Sequence, residues 1–483
     1  MAISAGLDCS TQNTRIVVCD SDTGEVLRES RAPHPGAATG GALAEIDPQS
    51  WLRSLGAAAD GGMLEGVRAI GVSAQQQGMI GLDAGGVLVR PALLRGDPRS
   101  AGAAAQLVSE LGGPAAWVEA VGGVPHAGST VAKLRWLAEH EPQHAKRVAE
   151  VLLPHDWLVW QLLGQSARRT TDRGDASGTG YWSPQTGRYR PDLLTLALGH
   201  EPAVPEVLGP AEAAGHSPEG LLISAGTGST MATALGLGLG PGDAVVSLGT
   251  SGTVYAVHDE ALIDPSGTVV PLADATGRHL PQVGTLNAAR VLRATAELLG
   301  TDADGLSDLA LRSTPGSYGL VLLPYLDGER TPHLPQAAGT LAGLRVDSMR
   351  PEHLARAAVE GMLCGLADAL DVLRERQVTV RRIFLTGSGS RLAAVQSIAP
   401  LIFGVPVVIP EPGDYAALGA ARQAAWALAG SAEPPQWELR DSVTVDPGED
   451  IAVGEAIRQQ YAALREQMHP QAGRSQPGPG QPG

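Results

Sequence analysis

The chain has 483 residues, 43% of them hydrophobic, and a formal net charge of −16. This length exceeds what one hydrophobic core serves, so it predicts a globular protein of about two to four domains. The acidic balance, with a pI near 5.2, argues against nucleic acid or an anionic membrane surface as a partner.

The chain opens with a predicted β-meander whose first turn is rich in small and hydroxyl residues. Apolar strands are predicted over residues 2–7 and 14–19, and the segment Gly-Leu-Asp-Cys-Ser-Thr-Gln at 6–12 leads from one to the other. Small residues let backbone N–H groups approach an anion closely, and the hydroxyl groups add donors. The turn is therefore a candidate phosphate-binding site.

Asp8 lies inside this turn, at the end of the buried strand. A carboxylate there can hold Mg²⁺ through water while Thr11, Gln12 and Arg15 contact the phosphates. The alternative is that Asp8 only shapes the turn through its side-chain oxygens.

The rest of the first half predicts a sheet flanked by helices. Strands are predicted over residues 67–72 and 80–82, and helices over 98–111, 130–140, 142–151 and 155–163. An inserted region of helices and loops is expected between residues 99 and 205.

A second small-residue turn follows an apolar strand in the other half of the chain. Residues 244–246 are Ala-Val-Val, and residues 247–253 read Ser-Leu-Gly-Thr-Ser-Gly-Thr. We expect Gly249 and Thr250 to face the same phosphates as the first turn. One such turn in each half indicates an α/β protein with two lobes around a polyphosphate, which is the plan of the actin-like ATPase and sugar-kinase fold.

The remainder of the second half predicts an α/β unit. A long amphipathic helix is predicted over residues 351–376, and a strand over 382–386. The turn after that strand carries Gly387, Ser388 and Gly389 and is a candidate for the nucleoside end of ATP. A dinucleotide-binding interpretation of this turn lacks a third glycine at the Rossmann spacing.

These patterns predict three parts of the chain: an N-terminal domain over residues 1–240, a C-terminal domain over 241–430 and an extension over 431–483. The end of the extension, from residue 473, is rich in Pro, Gly and Gln and is predicted to be disordered. The N-terminus shows no basic leader, and no apolar run reaches the roughly 18 residues that span a membrane. We therefore expect a cytoplasmic protein without a membrane partner.

Several blocks of the sequence resemble the FGGY family of carbohydrate kinases. Residues 128–140, Gly-Ser-Thr-Val-Ala-Lys-Leu-Arg-Trp-Leu-Ala-Glu-His, are similar to the signature helix of that family, and residues 324–333 are similar to a second family block. The branch of the family that phosphorylates D-xylulose is matched best, at residues 153–158, 171–179 and 286–290.

This resemblance implies an α/β fold of two actin-like ATPase (ribonuclease H-like) domains with an ATP and sugar cleft between them. It implies phosphoryl transfer from ATP, with Mg²⁺, to D-xylulose, which gives D-xylulose 5-phosphate. Kinases for other small sugars and polyols belong to the same family, so phosphorylation of another small sugar or polyol is the alternative reaction. A homodimer is compatible with the sequence, which does not fix the oligomeric state.

The sugar-binding residues implied by the resemblance lie in two segments. Gln76 and Gln77 match the substrate-contacting loop, although the D-xylulose branch usually has His where Gln77 stands. An amide can both donate and accept hydrogen bonds, so we expect binding to survive this change. Asp97 and Arg99 match a Trp-Asn-Asp-x-Arg block whose Trp and Asn are absent here. The wall of the sugar pocket therefore departs from the family pattern at these two positions.

Ser229 is the largest departure from the family pattern. The family has a Gly-rich turn followed by Asp-Asn, and this Asp is the general base that takes the proton of the sugar hydroxyl. Ser229 and Thr230 stand at these positions. A neutral Ser does not accept a proton near pH 7, so we expect a kinase slowed by about 10²–10⁴-fold.

Three interpretations of Ser229 are open. The residue is a local error in the sequence, the enzyme recruits another acid, or the protein binds sugar or nucleotide without turnover. Both phosphate turns are intact, so ATP binding is expected under all three.

Overall fold

The computed structural model of the protein describes residues 2–35, 44–439 and 441–470. Its strands are β1 (Ile3–Cys9), β2 (Asn13–Asp20), β3 (Val26–Pro33), β4 (Glu45–Ile46), β5 (Ala69–Ala74), β6 (Ile80–Leu82), β7 (Ala92–Leu93), β8 (Glu150–Leu152), β9 (Thr170–Asp172), β10 (Trp182–Ser183), β11 (Arg188–Tyr189), β12 (Glu206–Leu208), β13 (Ala213–His216), β14 (Leu222–Ser224), β15 (Thr227–Gly228), β16 (Asp243–Leu248), β17 (Gly252–Ala256), β18 (Val270–Ala273), β19 (His279–Thr285), β20 (Val321–Leu323), β21 (Thr340–Ala342), β22 (Arg382–Thr386), β23 (Val407–Pro410) and β24 (Ser442–Val445). Its helices are α1 (Gln49–Ala59), α2 (Ala101–Leu111), α3 (Pro114–Val121), α4 (Thr130–His140), α5 (Pro142–Ala145), α6 (Pro154–Leu162), α7 (Arg173–Ala176), α8 (Pro191–Leu198), α9 (Ser229–Gly236), α10 (Ala289–Leu298), α11 (Ala303–Arg312), α12 (Pro351–Arg374), α13 (Ala393–Phe403), α14 (Tyr415–Ala429) and α15 (Ile451–Met468). The predicted disordered end, from residue 473, lies outside the described residues.

The described chain forms two compact units. The first takes in the residues up to Leu239, Asp259–Leu280 and Gly413–Leu439, and the second takes in Gly240–His258, Pro281–Pro412 and the residues from 441 onward. The chain passes from one unit to the other more than once, so neither unit is one continuous segment.

The first unit is built on a mixed sheet with the strand order β13-β14-β5-β1-β2-β3. β1, β5 and β14 run parallel, whereas β2 pairs antiparallel with β1 and β3. The short strand β15 also pairs in parallel with β5. Because β1, β5 and β15 run in the same direction, their carboxyl ends lie at one edge of the sheet.

Helix α14 packs on this sheet through glycine positions. A Cβ atom on Gly6 of β1 would lie 1.8 Å from the carbonyl oxygen of Ala417, and one on Gly71 of β5 would lie 2.1 Å from that of Ala420. No larger residue fits such an approach of backbones. Helix α14 therefore packs in the first unit, although the segment that precedes it in the chain, Pro281–Pro412, belongs to the second unit.

The predicted helix over residues 142–151 also ends early. Only α5 is helical there, and β8 pairs antiparallel with β6. Val151 and Leu152 are fully buried. Strand pairing with a distant segment overrides the local helical pattern.

The second unit repeats the core pattern of the first. Its sheet includes the strand order β19-β17-β16-β22-β23-β24. β16 pairs antiparallel with β17 and parallel with β22, as β1 does with β2 and β5. The 24-residue helix α12 supplies much of the core of this unit, with Leu363, Leu366 and Leu370 fully buried.

No helix in the described ranges is both long enough and apolar enough to cross a membrane.

Candidate active site

Asp8 lies near the carboxyl end of β1 and is 5% exposed. Its carboxylate accepts a hydrogen bond from Ser73 Oγ at 2.7 Å. Burial and the neighbouring carboxylate of Asp414 raise the pKa of Asp8 to about 7, against the opposing effects of Ser73 and Arg15. A buried carboxylate beside a second one is short of positive charge, so this position fits a hard cation.

A cation at Asp8 would depend on ligands from outside the protein. Within residues 2–35, 44–439 and 441–470, no group of three or more His, Cys, Asp and Glu side chains could hold a metal ion. Mg²⁺ is usually bound by one or two carboxylates together with waters and substrate phosphates. The donor set therefore fits Mg²⁺ better than a metal held by a full cage of protein ligands.

The other residues predicted for the first turn differ in exposure. Thr11 and Gln12 are exposed at its tip. Arg15 is held on β2, where its guanidinium donates to Asn13 Oδ1 at 3.0 Å and to Asp414 at 2.9 Å. The turn therefore presents Thr11 and Gln12 to solvent, while Arg15 is already paired with a carboxylate.

Gln76 and Gln77, the predicted sugar-contacting amides, are each only 2% exposed. The side-chain oxygen of Gln76 accepts a hydrogen bond from Thr230 Oγ1 at 2.5 Å, which ties it to the start of α9. Gln77 has a φ of 60°, and its backbone N–H donates to Asp175 Oδ1 at 3.3 Å. Its side-chain oxygen is buried and has no hydrogen-bond partner among the described residues. Gln77 therefore has an acceptor that a ligand hydroxyl could satisfy.

Asp97 and Arg99 are paired with each other. The guanidinium of Arg99 lies 2.8 Å from Asp97, which is 1% exposed, and 2.8 Å from Glu45. Burial acts to raise the pKa of Asp97, but hydrogen bonds from Arg99 hold this pKa below its usual value. Arg99 also lies 4.9 Å above the ring of Trp136, in the signature helix α4. Internal contacts thus engage both residues, and their contact with sugar stays a prediction.

Ser229 is the first residue of α9, directly after β15. Thr227 of β15 pairs with Ser73 of β5, and Ser73 pairs with Asp8 of β1, so the start of α9 and Asp8 lie at the same sheet edge. Ser229 is half-buried, and its hydroxyl makes no hydrogen bond within the part of the chain that the structure describes. Its side chain is therefore not committed to a structural role.

A buried histidine surrounded by three carboxylates is a feature that sequence reasoning missed. His155 Nδ1 lies 2.9 Å from Asp175, and its Nε2 lies 3.0 Å from Asp156 and 3.7 Å from Asp172. Burial alone would lower the pKa of His155, but the three carboxylates raise it to about 9. The raised pKa favours the imidazolium form, whose positive charge faces the buried carboxylates.

This histidine–carboxylate cluster contacts the predicted sugar loop and the strand that precedes Ser229. Asp175 accepts the backbone N–H of Gln77, and Asp172 accepts the hydroxyl of Thr227 at 2.7 Å. The residues of this cluster lie in the blocks 153–158 and 171–179, which resemble the family. The sequence did not show that these two blocks contact each other in the fold.

Lys133 of the signature helix is fully buried. Its Nζ donates to the carbonyl oxygens of Gly128 and Ala127, which fastens the loop before α4. Burial lowers the pKa of Lys133 to about 7, while Asp97 acts to raise it and Arg95 to lower it.

We expect Lys133→Met to change how stability depends on pH. Between about pH 7 and 10.5 the unfolded lysine binds a proton that the folded one has lost, so wild-type stability should rise with pH relative to the variant. Between pH 7 and pH 9.5, the free energy of unfolding of the wild type should increase by about 2–3 kcal/mol relative to that of the variant. Urea unfolding at both pH values measures it, and a constant difference would contradict the lowered pKa.

The turn between β16 and β17 presents backbone donors. The carbonyl oxygens of Gly249 and Thr250 accept hydrogen bonds from the N–H groups of Ala289 and Arg290, at 2.9 and 3.4 Å. In the described chain, the N–H groups of Gly249, Thr250 and Ser251 have no hydrogen-bond partner. With its carbonyls turned toward α10, the turn has N–H groups available for an anion.

A cavity of about 410 Å³ adjoins this turn within the second unit. Thr250, Ser388 and Gly389 contribute to its lining, together with Leu292, Arg293, Ala296 and Glu297 of α10 and Asp302 before α11. Gly387 has a φ of 90°, and a Cβ atom there would lie 2.7 Å from the backbone of Leu248. Glycine is therefore required for the two turns to meet at one cavity, whose volume suits a small ligand.

Comparison with known proteins agrees with this architecture. Residues 3–237 match the N-terminal domain of the FGGY family of carbohydrate kinases, and residues 244–428 match its C-terminal domain. The chain is therefore a member of the FGGY family of carbohydrate kinases, which confirms the predicted family and its two-domain α/β fold.

Individual relatives cover nearly the whole chain. It is 44% identical over 436 residues to a xylulose kinase of Streptomyces coelicolor, with 88% of each chain covered. It is 43% identical over 453 residues to a xylulose kinase of Streptomyces rubiginosus, with 90% of each covered. The crystal structure of xylulose kinase from Bifidobacterium adolescentis superposes with a TM-score of 0.88 at 38% identity, over 96% of this chain and 99% of that one.

Proposed function

We propose that the protein transfers the γ-phosphoryl group of ATP to D-xylulose and forms D-xylulose 5-phosphate. The observation that carries this proposal is the similarity to xylulose kinases at 43–44% identity over 88–90% of both chains. Because ATP is the phosphoryl donor, we place the reaction in the cytoplasm. The N-terminal domain, residues 1–240, would bind the sugar, and the C-terminal domain, 241–430, would bind the nucleotide.

The nucleotide is assigned to the second unit on the basis of its cavity. The free N–H groups of the turn at Gly249 and Thr250 supply donors for phosphate oxygens. Gly387, Ser388 and Gly389 are assigned to the nucleoside end. The 410 Å³ cavity supports this assignment, because phosphate donors and the glycine turn both line it.

The metal and the sugar are assigned to the first unit. Asp8 would hold Mg²⁺ through water, with Thr11, Gln12 and Arg15 toward the phosphates. The metal would neutralise charge on the phosphates during transfer. Gln76 and Gln77 are assigned to sugar hydroxyls, supported by the unpartnered buried oxygen of Gln77. Asp97 and Arg99 are assigned to the wall of the same pocket.

In the proposed step, a sugar hydroxyl oxygen forms a bond to the γ-phosphorus while the bond from that phosphorus to the bridging oxygen of ADP breaks. The hydroxyl proton must leave as this bond forms. Ser229, in place of the family's base, accepts no proton near neutral pH, so the proton passes to water. Positioning and electrostatic stabilisation remain, and these supply most of the catalysis in phosphoryl transfer.

The test is a coupled ADP-release assay with ATP, Mg²⁺ and D-xylulose. We expect measurable turnover that lies well below the roughly 1–100 s⁻¹ of ordinary kinases. Glycerol, gluconate and D-ribulose serve as competing substrates, and a higher kcat/KM with any of them would contradict the assignment of the sugar. Turnover in the ordinary range would contradict the predicted cost of Ser229.

Ser229 also favours a second candidate, a sugar- or nucleotide-binding protein without turnover. The two functions differ in a single measurement: ATP binding without any sugar-dependent ADP release supports the second and excludes the first.

A further inference from the structure

Glu329 belongs to the family block at residues 324–333, which has no part in the function proposed above. It is 5% exposed, and it lies in a loop closed by reciprocal backbone hydrogen bonds with Leu334, each of 2.9 Å. A buried carboxylate needs donors around it, and the identity of these donors indicates what Glu329 does.

All the partners of the Glu329 carboxylate are hydrogen-bond donors. Oε1 accepts the backbone N–H groups of Leu286 and Arg330, and Oε2 accepts Asn287 Nδ2 at 3.0 Å. The same amide nitrogen of Asn287 also donates to the carbonyl oxygen of Gly328 at 2.8 Å. Glu329 therefore fixes the segment that leads from β19 into α10.

The segment fixed by Glu329 in turn holds the phosphate turn. Ala289 and Arg290, two and three residues after Asn287, donate their N–H groups to the carbonyl oxygens of Gly249 and Thr250. These bonds orient the turn so that its own N–H groups are available. Hydrogen bonds thus join Glu329 to residues 286 and 287, the backbone leads from these to Ala289 and Arg290, and hydrogen bonds join these two residues to the turn.

We propose that Glu329 is a positioning residue that sets the phosphate-binding turn at Gly249 and Thr250 through the start of α10. The inference rests on the nucleotide site proposed above. Glu329 does not line the cavity, so it acts on the phosphates only through the turn.

The Glu329→Gln variant tests this role with little change in size. The Gln side chain has an acceptor oxygen and a donor NH2 group, whereas every partner of the Glu329 carboxylate is a donor. In the variant, the NH2 group therefore faces at least one donor, and that hydrogen bond is lost. We expect the dissociation constant for ATP to rise roughly five- to tenfold, the effect of about one lost hydrogen bond. The constant for adenosine, which has no phosphates, should change less than about twofold.

The matched control is Glu360→Gln in the same unit. Glu360 is 3% exposed and likewise accepts from three donors, Gly316 N, Ser317 Oγ and Arg356 Nε. None of these partners is hydrogen-bonded to the phosphate turn. We expect Glu360→Gln to lower thermal stability at least as much as Glu329→Gln while leaving affinity for both ATP and adenosine unchanged.

Affinities are measured by competition against a fluorescent ATP analogue on the full chain, with thermal melts of each variant. Asn287→Ala, which removes one donor without adding a misplaced one, is the second variant if Glu329→Gln does not fold, and it should show a smaller loss selective for ATP. Equal losses for ATP and adenosine, unchanged ATP affinity, or a selective ATP loss in Glu360→Gln would each overturn the positioning role. A wild-type chain that binds ATP but makes no sugar phosphate overturns the proposed reaction instead, so the two failures are distinguishable.

Discussion

Replacing Ser229 with Asp is expected to raise kcat for D-xylulose phosphorylation by about 10²–10⁴-fold. The sugar hydroxyl must lose a proton as it attacks, and a carboxylate at this position supplies the acceptor that Ser229 lacks. Because catalysis here depends chiefly on positioning and electrostatics, the remaining machinery can use that base at once.

The structure favours an ionised carboxylate at position 229. The residue opens α9, where the helix dipole stabilises negative charge and keeps the carboxylate deprotonated. It is half-buried, and the hydroxyl that Asp would replace has no hydrogen bond to lose within the described residues. The substitution should therefore cost little stability.

Two further variants separate base catalysis from a change in side-chain size. Ser229→Asn has the shape of the aspartate without its charge, and Ser229→Ala removes the hydroxyl. Both should turn over at the wild-type rate, measured by coupled ADP release at saturating ATP and D-xylulose. Equal rates for the Asp and Asn variants would show that no base is missing. A slow Ala variant would show that the Ser hydroxyl itself takes part in the reaction.

The turns that define the fold were predictable because each is contiguous in the sequence. The segments at 6–12 and 247–253 lie between hydrogen-bonded strands as expected, since β1 pairs with β2 and β16 with β17. The strands predicted over 67–72 and 382–386 correspond to β5 and β22, which pair in parallel with β1 and β16. Local chemistry was therefore sufficient to locate the two turns, and their binding of phosphate stays a prediction.

Contacts between distant segments were not predictable in the same way. Arg15 was assigned to phosphate from its place beside the turn, but it pairs with Asp414, which is 399 residues away. Gln76 was assigned to sugar, but its oxygen is bonded to Thr230, 154 residues away. Long-range pairing of this kind depends on the packing of whole elements, which no local pattern encodes.

The hydrogen bond between Gln76 and Thr230 lies next to Ser229. The hydrogen bond joins the predicted sugar loop to the second residue of α9, directly after Ser229. The two positions at which the family's Asp-Asn is replaced thus differ: Ser229 lacks the proposed base, and Thr230 forms a hydrogen bond to an amide that is predicted to bind sugar. A gain from Ser229→Asp alone would show that this bond is compatible with catalysis.

His155→Gln is expected to destabilise the protein by about 3–5 kcal/mol, because it leaves buried carboxylates without their counter-charge. His155, Asp156 and Asp175 are each no more than 1% exposed, so water cannot take over the role of the histidine. A loss of this size should lower Tm by roughly 6–20 °C. Thermal melts of the wild type and the variant at pH 7.5 measure it.

His144→Gln is the control that makes this result specific to burial. His144 also pairs with a carboxylate, Glu141 at 2.7 Å, but its side chain is 42% exposed. Its loss should change stability by no more than about 0.5 kcal/mol.

Because Asp175 also holds the backbone N–H of Gln77, His155→Gln should raise KM for D-xylulose more than KM for ATP. Similar melts for both histidine variants would contradict the charged state of His155, and equal shifts in the two KM values would contradict its link to the sugar loop.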